Sequence, residues 1–256
     1  MLVGDSAPSE FLAAPLPRVF AHRGLAREAP ENTLLAFVKA LAGGATHLET
    51  DVHVSLDGVA VISHDPDLSM LGRDVRIDQL TMAELRHIKL GYGQGFTSLS
   101  DALEAFPEAL FNIDIKTDAA AEPTARAIRE QRATARVLVT SFNEQRRRHV
   151  VGLLPGVVSS ASAPLVARAV AAANLGLTAL VRRALDGCIA VQVPERAGPV
   201  RIITPRFVGM MHRAGVEVHV WTVNDPLDMM RLLDLGVDGL VTDRTDLAVA
   251  AITRRT

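Results

Sequence analysis

The feature that most constrains this chain is a repeated alternation of short β-type runs with longer helical runs. Runs with strand character fall at 18–22, 46–53, 110–116, 137–141, 156–160, 188–193, 216–222 and 238–242. Helical runs lie between most of them, at 32–43, 119–132, 143–153, 163–174, 205–214 and 226–235. Strands joined by helical crossovers run parallel, in a sheet that is either doubly wound or closed into a barrel. Several helix ends are written locally. Thr204-Pro205 supplies an N-cap and a first-turn proline, and Gly215 and Gly236 follow helices where a left-handed residue ends them.

Side-chain parity along the strands adds direction, because successive residues point to opposite faces. In 47–53 one face carries His47, Glu49, Asp51 and His53, and the other Leu48, Thr50 and Val52. In 111–116 the split is Asn112, Asp114 and Lys116 against Phe111, Ile113 and Ile115; in 216–221 it is Glu217, His219 and Trp221 against three valines. With helices outside, the apolar faces pack outward and the polar faces point into a barrel. Helical connectors argue against an antiparallel sheet with one wet face. The expectation is a (β/α)8 barrel, whose active sites are built at the C-terminal ends of the strands.

A length of 256 residues suits one such domain, expected over 18–256 with an N-terminal extension at 1–17. Residues 66–98 are too long for an ordinary βα loop and contain the run Gly91-Tyr92-Gly93-Gln94-Gly95, so they read as an insertion over one end of the barrel. Within it, Thr81-Met82-Ala83-Glu84 fits a capping box opening a short helix. The net charge of −2 and the lack of a basic stripe interleaved with aromatics argue against nucleic acid as a partner. The run Arg146-Arg147-Arg148 reads as a solvated helix face. A lone cysteine, Cys188, fits a reducing compartment. The first seventeen residues hold no Lys or Arg and no apolar core of a secretory signal. The longest apolar stretch, Ala163 to Val181, contains Arg168 and Asn174 and reads as a buried helix and loop. A cytoplasmic protein without stable membrane insertion is expected; the sequence does not specify an oligomeric state.

The inward polar residues define candidate chemistry. Glu49 and Asp51 stand about 7 Å apart along one strand face. With Asp114 they form an all-oxygen carboxylate set suited to a hard divalent cation, Mg²⁺ or Ca²⁺. The alternative is a structural set of carboxylates paired with Lys116 and Arg23. His22 ends the first strand and His64 follows the extended run 58–62; imidazoles suit a general acid and a general base. Arg23 and Lys116 can offset phosphate charge. His47 and His53 have inward parity and no assigned role, while His87, His149 and His212 read as surface or loop residues. A phosphate-binding isomerase barrel would need a glycine-rich loop near the last two strands, where only Gly236 and Gly239 fall.

These residues sit in a series of motifs. Ala21-His22-Arg23-Gly24 with Ala29-Pro30-Glu31-Asn32-Thr33, Glu49-Thr50-Asp51-Val52 with Leu56-Asp57-Gly58 and His64-Asp65, Asn112-Ile113-Asp114-Ile115-Lys116, Val220-Trp221-Thr222-Val223-Asn224, and Gly236 to Asp243 follow in order. Together they resemble the glycerophosphodiester phosphodiesterase family over about residues 18–243. The resemblance implies metal-dependent hydrolysis of glycerophosphodiesters to sn-glycerol 3-phosphate and an alcohol. It makes His22 and His64 the acid/base pair, Glu49, Asp51 and Asp114 the metal ligands, and Arg23 and Lys116 phosphate contacts. Trp221 and Gln192 would line the substrate pocket. Asp114 departs from the family's usual Glu, which leaves the choice of ion open. Two rival readings are a lysophospholipase D-like enzyme on the same barrel, for which an apolar wall in 66–98 would speak, and a barrel that binds such diesters without turnover.

Overall fold

The computed structural model describes residues 9–255. Eight parallel strands form the barrel: β1 (Arg18–Ala21), β2 (His47–Val54), β3 (Leu110–Ile115), β4 (Val137–Thr140), β5 (Val158–Ser159), β6 (Ala190–Pro194), β7 (Glu217–Trp221) and β8 (Gly239–Thr242). They are hydrogen-bonded in the order β5-β4-β3-β2-β1-β8-β7-β6. The circuit is completed between β5 and β6 by one parallel bridge, Ser160 to Ala190. Two flanking backbone bonds, Ile189 N–H to Ser159 O and Ala161 N–H to Ala190 O, support it. Each expected strand is present. The six expected helices are present as Leu34–Ala42, Ala121–Glu130, Glu144–Leu153, Ala163–Asn174, Pro205–Ala214 and Pro226–Asp234; Leu99–Ala105, Thr178–Ala184 and Thr245–Thr253 are added to them.

Parity holds across the barrel wall. Leu48, Val52, Phe111, Ile113, Ile115, Val218 and Val220 join one core with the apolar stripes of the surrounding helices. Each such side chain contributes roughly 1.5–3 kcal/mol on burial, which anchors the strand register. The inward residues near the base are satisfied among themselves. Arg18 donates from Nε and Nη2 to the two carboxylate oxygens of Glu217, and Glu217 Oε2 also meets His219 Nε2 at 3.0 Å. Burial works against the Glu217 charge, yet Arg18 and His219 hold its carboxyl down at about 2.

The described part of the 1–17 segment folds onto the barrel base. Phe11 is fully buried with Phe20, Leu138 and Val241. His47 packs between Phe11 and Phe20, with ring centroids 4.5 and 4.6 Å away, and its Nε2 meets the Phe11 carbonyl at 2.9 Å. Burial lowers the His47 pKa to about 3, so this imidazole is a neutral packing element. Residues 1–8, including Asp5, lie outside the described residues.

The 66–98 segment is an insertion with its own core of Val61, Leu68, Ile77, Met82, Leu85, Ile88 and Phe96. It follows a short strand, Ala60–Ile62, antiparallel to the end of β2. The expected capping box opens helix Met82–His87: Thr81 Oγ1 accepts from Glu84 N–H, and Glu84 accepts from Thr81 N–H. One expectation is corrected. Arg147 is buried, donating to both carboxylate oxygens of Glu144 and to Ser159 Oγ. The basic run therefore anchors β5 rather than forming only a solvated face. Among the described residues no helix is long and apolar enough to cross a membrane.

Candidate active site

At the C-terminal mouth of the barrel a cavity of about 210 Å³ is lined by His22, Arg23, Glu49, Asp51, His64, Asp114, Lys116, Gln192 and Trp221, together with Asn112, Phe142, Thr222 and Val241. All nine residues singled out from the sequence thus share one space. Register accounts for much of this, since Asp51 stands opposite Asp114 and Glu49 opposite Asn112 in the parallel pairing of β2 and β3.

The loop after β1 is held tightly. Arg23 and Asn32 both adopt positive φ, 55° and 56°, a costly conformation for residues other than glycine. Hydrogen bonds hold them there. Arg23 N–H donates to Glu49 Oε2, Asn32 N–H donates to Arg23 O, and the Asn32 amide donates to Asp51 and accepts from Thr50. Gly24 between them has φ 83°, and a Cβ there would come within 2.8 Å of the Ala36 backbone. The Gly of the His-Arg-Gly motif therefore lets this loop lie on helix Leu34–Ala42.

Each imidazole has a carboxylate partner. His22 Nδ1 lies 2.7 Å from Asp243 Oδ1, and Asp243 Oδ2 accepts from the Asn224 amide at 2.7 Å. Asn224 Oδ1 in turn accepts from Thr242 Oγ1 and Asp243 N–H. His64 Nδ1 lies 2.8 Å from Asp65 Oδ1, and His53 Nε2 meets the His64 carbonyl at 3.1 Å. A carboxylate on Nδ1 favours the Nδ1–H tautomer, leaving Nε2 as the unprotonated nitrogen of each neutral ring. Burial works against the His22 charge, but the Asp243 bond and the Glu49 charge raise its pKa.

The carboxylates and cations are interleaved. Lys116 Nζ is 2.7 Å from both Asp51 Oδ1 and Asp114 Oδ2. Arg23 donates to Glu31, while its Nε is 3.2 Å from Asp51 Oδ2 but too far off line for a hydrogen bond. That Nε is a buried donor without an accepting partner among the described residues. Burial opposes the Lys116 charge, and Asp114 and Asp51 more than offset it, so its pKa is raised. Burial, followed by the Asp51 charge, pushes Glu49 upward; burial also raises Asp114. The salt-bridged arrangement anticipated as an alternative is therefore present for Asp51 and Asp114. No three His, Cys, Asp or Glu side chains among the described residues converge on one ligating point.

Gln192 donates to Asn112 Oδ1 at 3.2 Å and reaches His219 Nδ1 at 3.4 Å, and Trp221 meets Phe142 edge-on at 6.0 Å. The sequence reading did not assign Asp243, Asn224, Asp65, Asn32, His53 or Phe142. Asp243 had a usable signal, a carboxylate immediately after the last barrel strand, and His53 had inward parity. Phe142 carried none.

Two carboxylate-paired imidazoles beside fixed cations and carboxylates at a barrel mouth are the groups that hydrolysis of a phosphate ester calls for. Comparison with known proteins agrees. The model of the glycerophosphoryl diester phosphodiesterase family matches residues 22–247. A probable glycerophosphodiester phosphodiesterase 2 of Mycobacterium tuberculosis is 41% identical, with 95% of this chain and 94% of that protein covered. A solved putative glycerophosphoryl diester phosphodiesterase from Silicibacter pomeroyi superposes with a TM-score of 0.78 at 23% identity, covering 94% of each chain. An Oleispira antarctica phosphodiesterase, solved with the product sn-glycerol-3-phosphate, superposes at 0.76 with 24% identity over 93% of this chain and 97% of that one. The chain belongs to the glycerophosphoryl diester phosphodiesterase family and is a phosphoric diester hydrolase.

Proposed function

We propose that this protein hydrolyses glycerophosphodiesters to sn-glycerol 3-phosphate and an alcohol, with His22 and His64 as the acid/base pair. The observation that carries the proposal is the pairing of both histidines, each on its own aspartate, across one cavity that also holds Arg23 and Lys116. Arg23 and Lys116, which both line the cavity, bind and orient the phosphate oxygens. His22 takes the proton of the attacking oxygen, of water or of the glycerol 2-hydroxyl, as that oxygen bonds to phosphorus; in the second case water then opens the cyclic phosphate to glycerol 3-phosphate. His64 gives a proton to the alcohol oxygen as the second P–O bond breaks. Trp221 and Gln192 wall the substrate. The Oleispira complex supports glycerol 3-phosphate as the product.

The residues fit a divalent cation, Mg²⁺ or Ca²⁺, by donor chemistry and by charge. Glu49, Asp51 and Asp114 offer only oxygen, and Lys116 Nζ between two of them shows where positive charge is favoured. With Glu31, which also pairs with Arg23, four carboxyl groups meet two cations, an excess of acidic groups that favours a bound cation. Glu49, Asp51 and Asp114 would hold that cation, which supplies electrostatic stabilisation of the charge developing on phosphate. The test is release of glycerol 3-phosphate from glycerophosphocholine, with Mg²⁺, Ca²⁺ or chelator. His22→Ala and His64→Ala each lower kcat by about 10²–10⁴-fold. Near-normal turnover by either variant refutes its assignment, and activity indifferent to chelator refutes the cation.

A further inference from the structure

We propose that an apolar pocket opening from the catalytic cavity receives an aliphatic chain carried by the phosphodiester, so that diesters bearing such a chain are better substrates than short ones. This rests on the phosphodiesterase reading above and specifies its substrate class. The pocket measures about 410 Å³ and shares Phe142, Gln192 and Trp221 with the catalytic cavity. That size lies within the range of small-molecule sites. An occupant can therefore have its phosphate beside Arg23 and Lys116 and one arm beyond the Phe142–Trp221 pair.

The lining dictates what that arm is. No charged residue contributes to it. Its walls are Val166 and Val170 from helix Ala163–Asn174, Val193 from β6, Ile202, and Val200 of a small hairpin whose strands are Arg196–Ala197 and Val200–Arg201. The few polar side chains sit at the catalytic end and are engaged: Ser141 Oγ donates to the Ile115 carbonyl, and Thr140 Oγ1 accepts from Ser160. A cationic or polyhydroxyl arm would lose its water there and gain no partner. An aliphatic arm gains by leaving water. The rim agrees, since Phe142 is 60% exposed and Val200 53% exposed, leaving large apolar faces open at the entrance. The polar, glycine-rich run in 66–98 speaks against an apolar wall there; this wall is built from residues between 140 and 202 and from Trp221.

Two kinds of diester present the same chemistry: one acylated on the glycerol, and one with a long alkyl alcohol. The experiment uses both as chain-length series below their micellar concentrations, 1-acyl-glycerophosphocholines and alkyl esters of glycerol 3-phosphate. Glycerophosphocholine is the common short reference, and the protein is the full chain. In the series whose chain enters the pocket, kcat/KM rises about fourfold per methylene and levels off once the pocket is full. The rising series identifies the ester arm. Ala167→Phe, at an exposed helix position lining the pocket, and Val170→Trp both flatten that slope while turnover of glycerophosphocholine stays the same. The Ala167 variant keeps the test valid should the bulkier change at Val170 impair folding. Flat series in both arms, with glycerophosphocholine still hydrolysed, overturn the pocket and leave the activity standing. A slope unchanged in Ala167→Phe also overturns it, and no hydrolysis of any diester overturns both readings together.

Discussion

Replacing Asp243 with Asn tests the logic of the His22 site, because the carboxylate must accept hydrogen bonds on both oxygens at once. Oδ1 faces His22 Nδ1 at 2.7 Å and Oδ2 faces the Asn224 amide at 2.7 Å. An amide accepts on one side only. It must either set its NH₂ against the Asn224 NH₂ or turn it toward His22 and force the other tautomer. Asp243→Asn therefore removes a charge-assisted bond worth about 1.5–3 kcal/mol in general. The Asp243 side chain is 48% exposed, so solvent screening places the effect at the low end, about 1.5–2 kcal/mol. That corresponds to a loss of about 10- to 30-fold in kcat. KM changes little, because Asp243 does not line the phosphate cavity. The pH profile carries the sign. Asp243 helps raise the His22 pKa, so its loss lowers that value. A base must be deprotonated to act, and the acid limb of kcat/KM then moves to lower pH. Initial rates of glycerol 3-phosphate release between pH 5 and 9 measure both. A kcat within about twofold of the parent, with an unmoved acid limb, refutes the orienting role.

Stability is open to similar tests. Phe11→Ala empties a fully buried site at the barrel base and costs about 3–5 kcal/mol in urea unfolding; a loss below about 1 kcal/mol shows that the segment does not support the barrel. Gly239→Ala places a Cβ 2.7 Å from Phe20 Cε2 and 2.9 Å from His219 Cδ2, and destabilises by about 1–3 kcal/mol. An unchanged urea midpoint contradicts the close packing. Glu217 has its pKa depressed from 4.5 to about 2. Its stabilisation, on the order of 3 kcal/mol, is present above pH 4.5 and is lost as pH falls toward 2. The stability gap between the parent and Glu217→Gln therefore closes over that window, and an equal gap at pH 7 and pH 2.5 refutes the pairing with Arg18.

The barrel was legible because two periodicities coincide in it. Strands such as 47–53 repeat every two residues and helices such as 205–214 bury every third or fourth, so local sequence already states which face meets which layer. Parity also located Glu49, Asp51 and Asp114, since it needs no knowledge of distant contacts. It could not separate the catalytic mouth from the packed base. Glu49 and His47 have identical parity, yet one lines the cavity while the other packs between two phenylalanines. Depth along the barrel axis depends on strand tilt and on what plugs the base. Phe11 plugs it from a segment the pattern set aside. Asp243 escaped assignment because its partner His22 is 221 residues away, and Asn224 because it reaches the site only through Asp243; contacts of that kind leave no periodic trace. The helix Glu144–Leu153 misled for a related reason: a run of three arginines looks solvated until one is turned inward onto Ser159.

The single bridge between β5 and β6 has a dynamic consequence. Elsewhere adjoining strands are held by two to six paired residues, but here Ser160 and Ala190 alone form the bridge. A cylinder stitched this lightly along one line opens there first when it breathes. Backbone amides at Ile189 and Ala161 exchange with solvent deuterium ahead of those in β2 and β3. The same line runs beside Gln192 and the apolar pocket, so the wall least committed to staying shut is the one past which a long-chain substrate has to move.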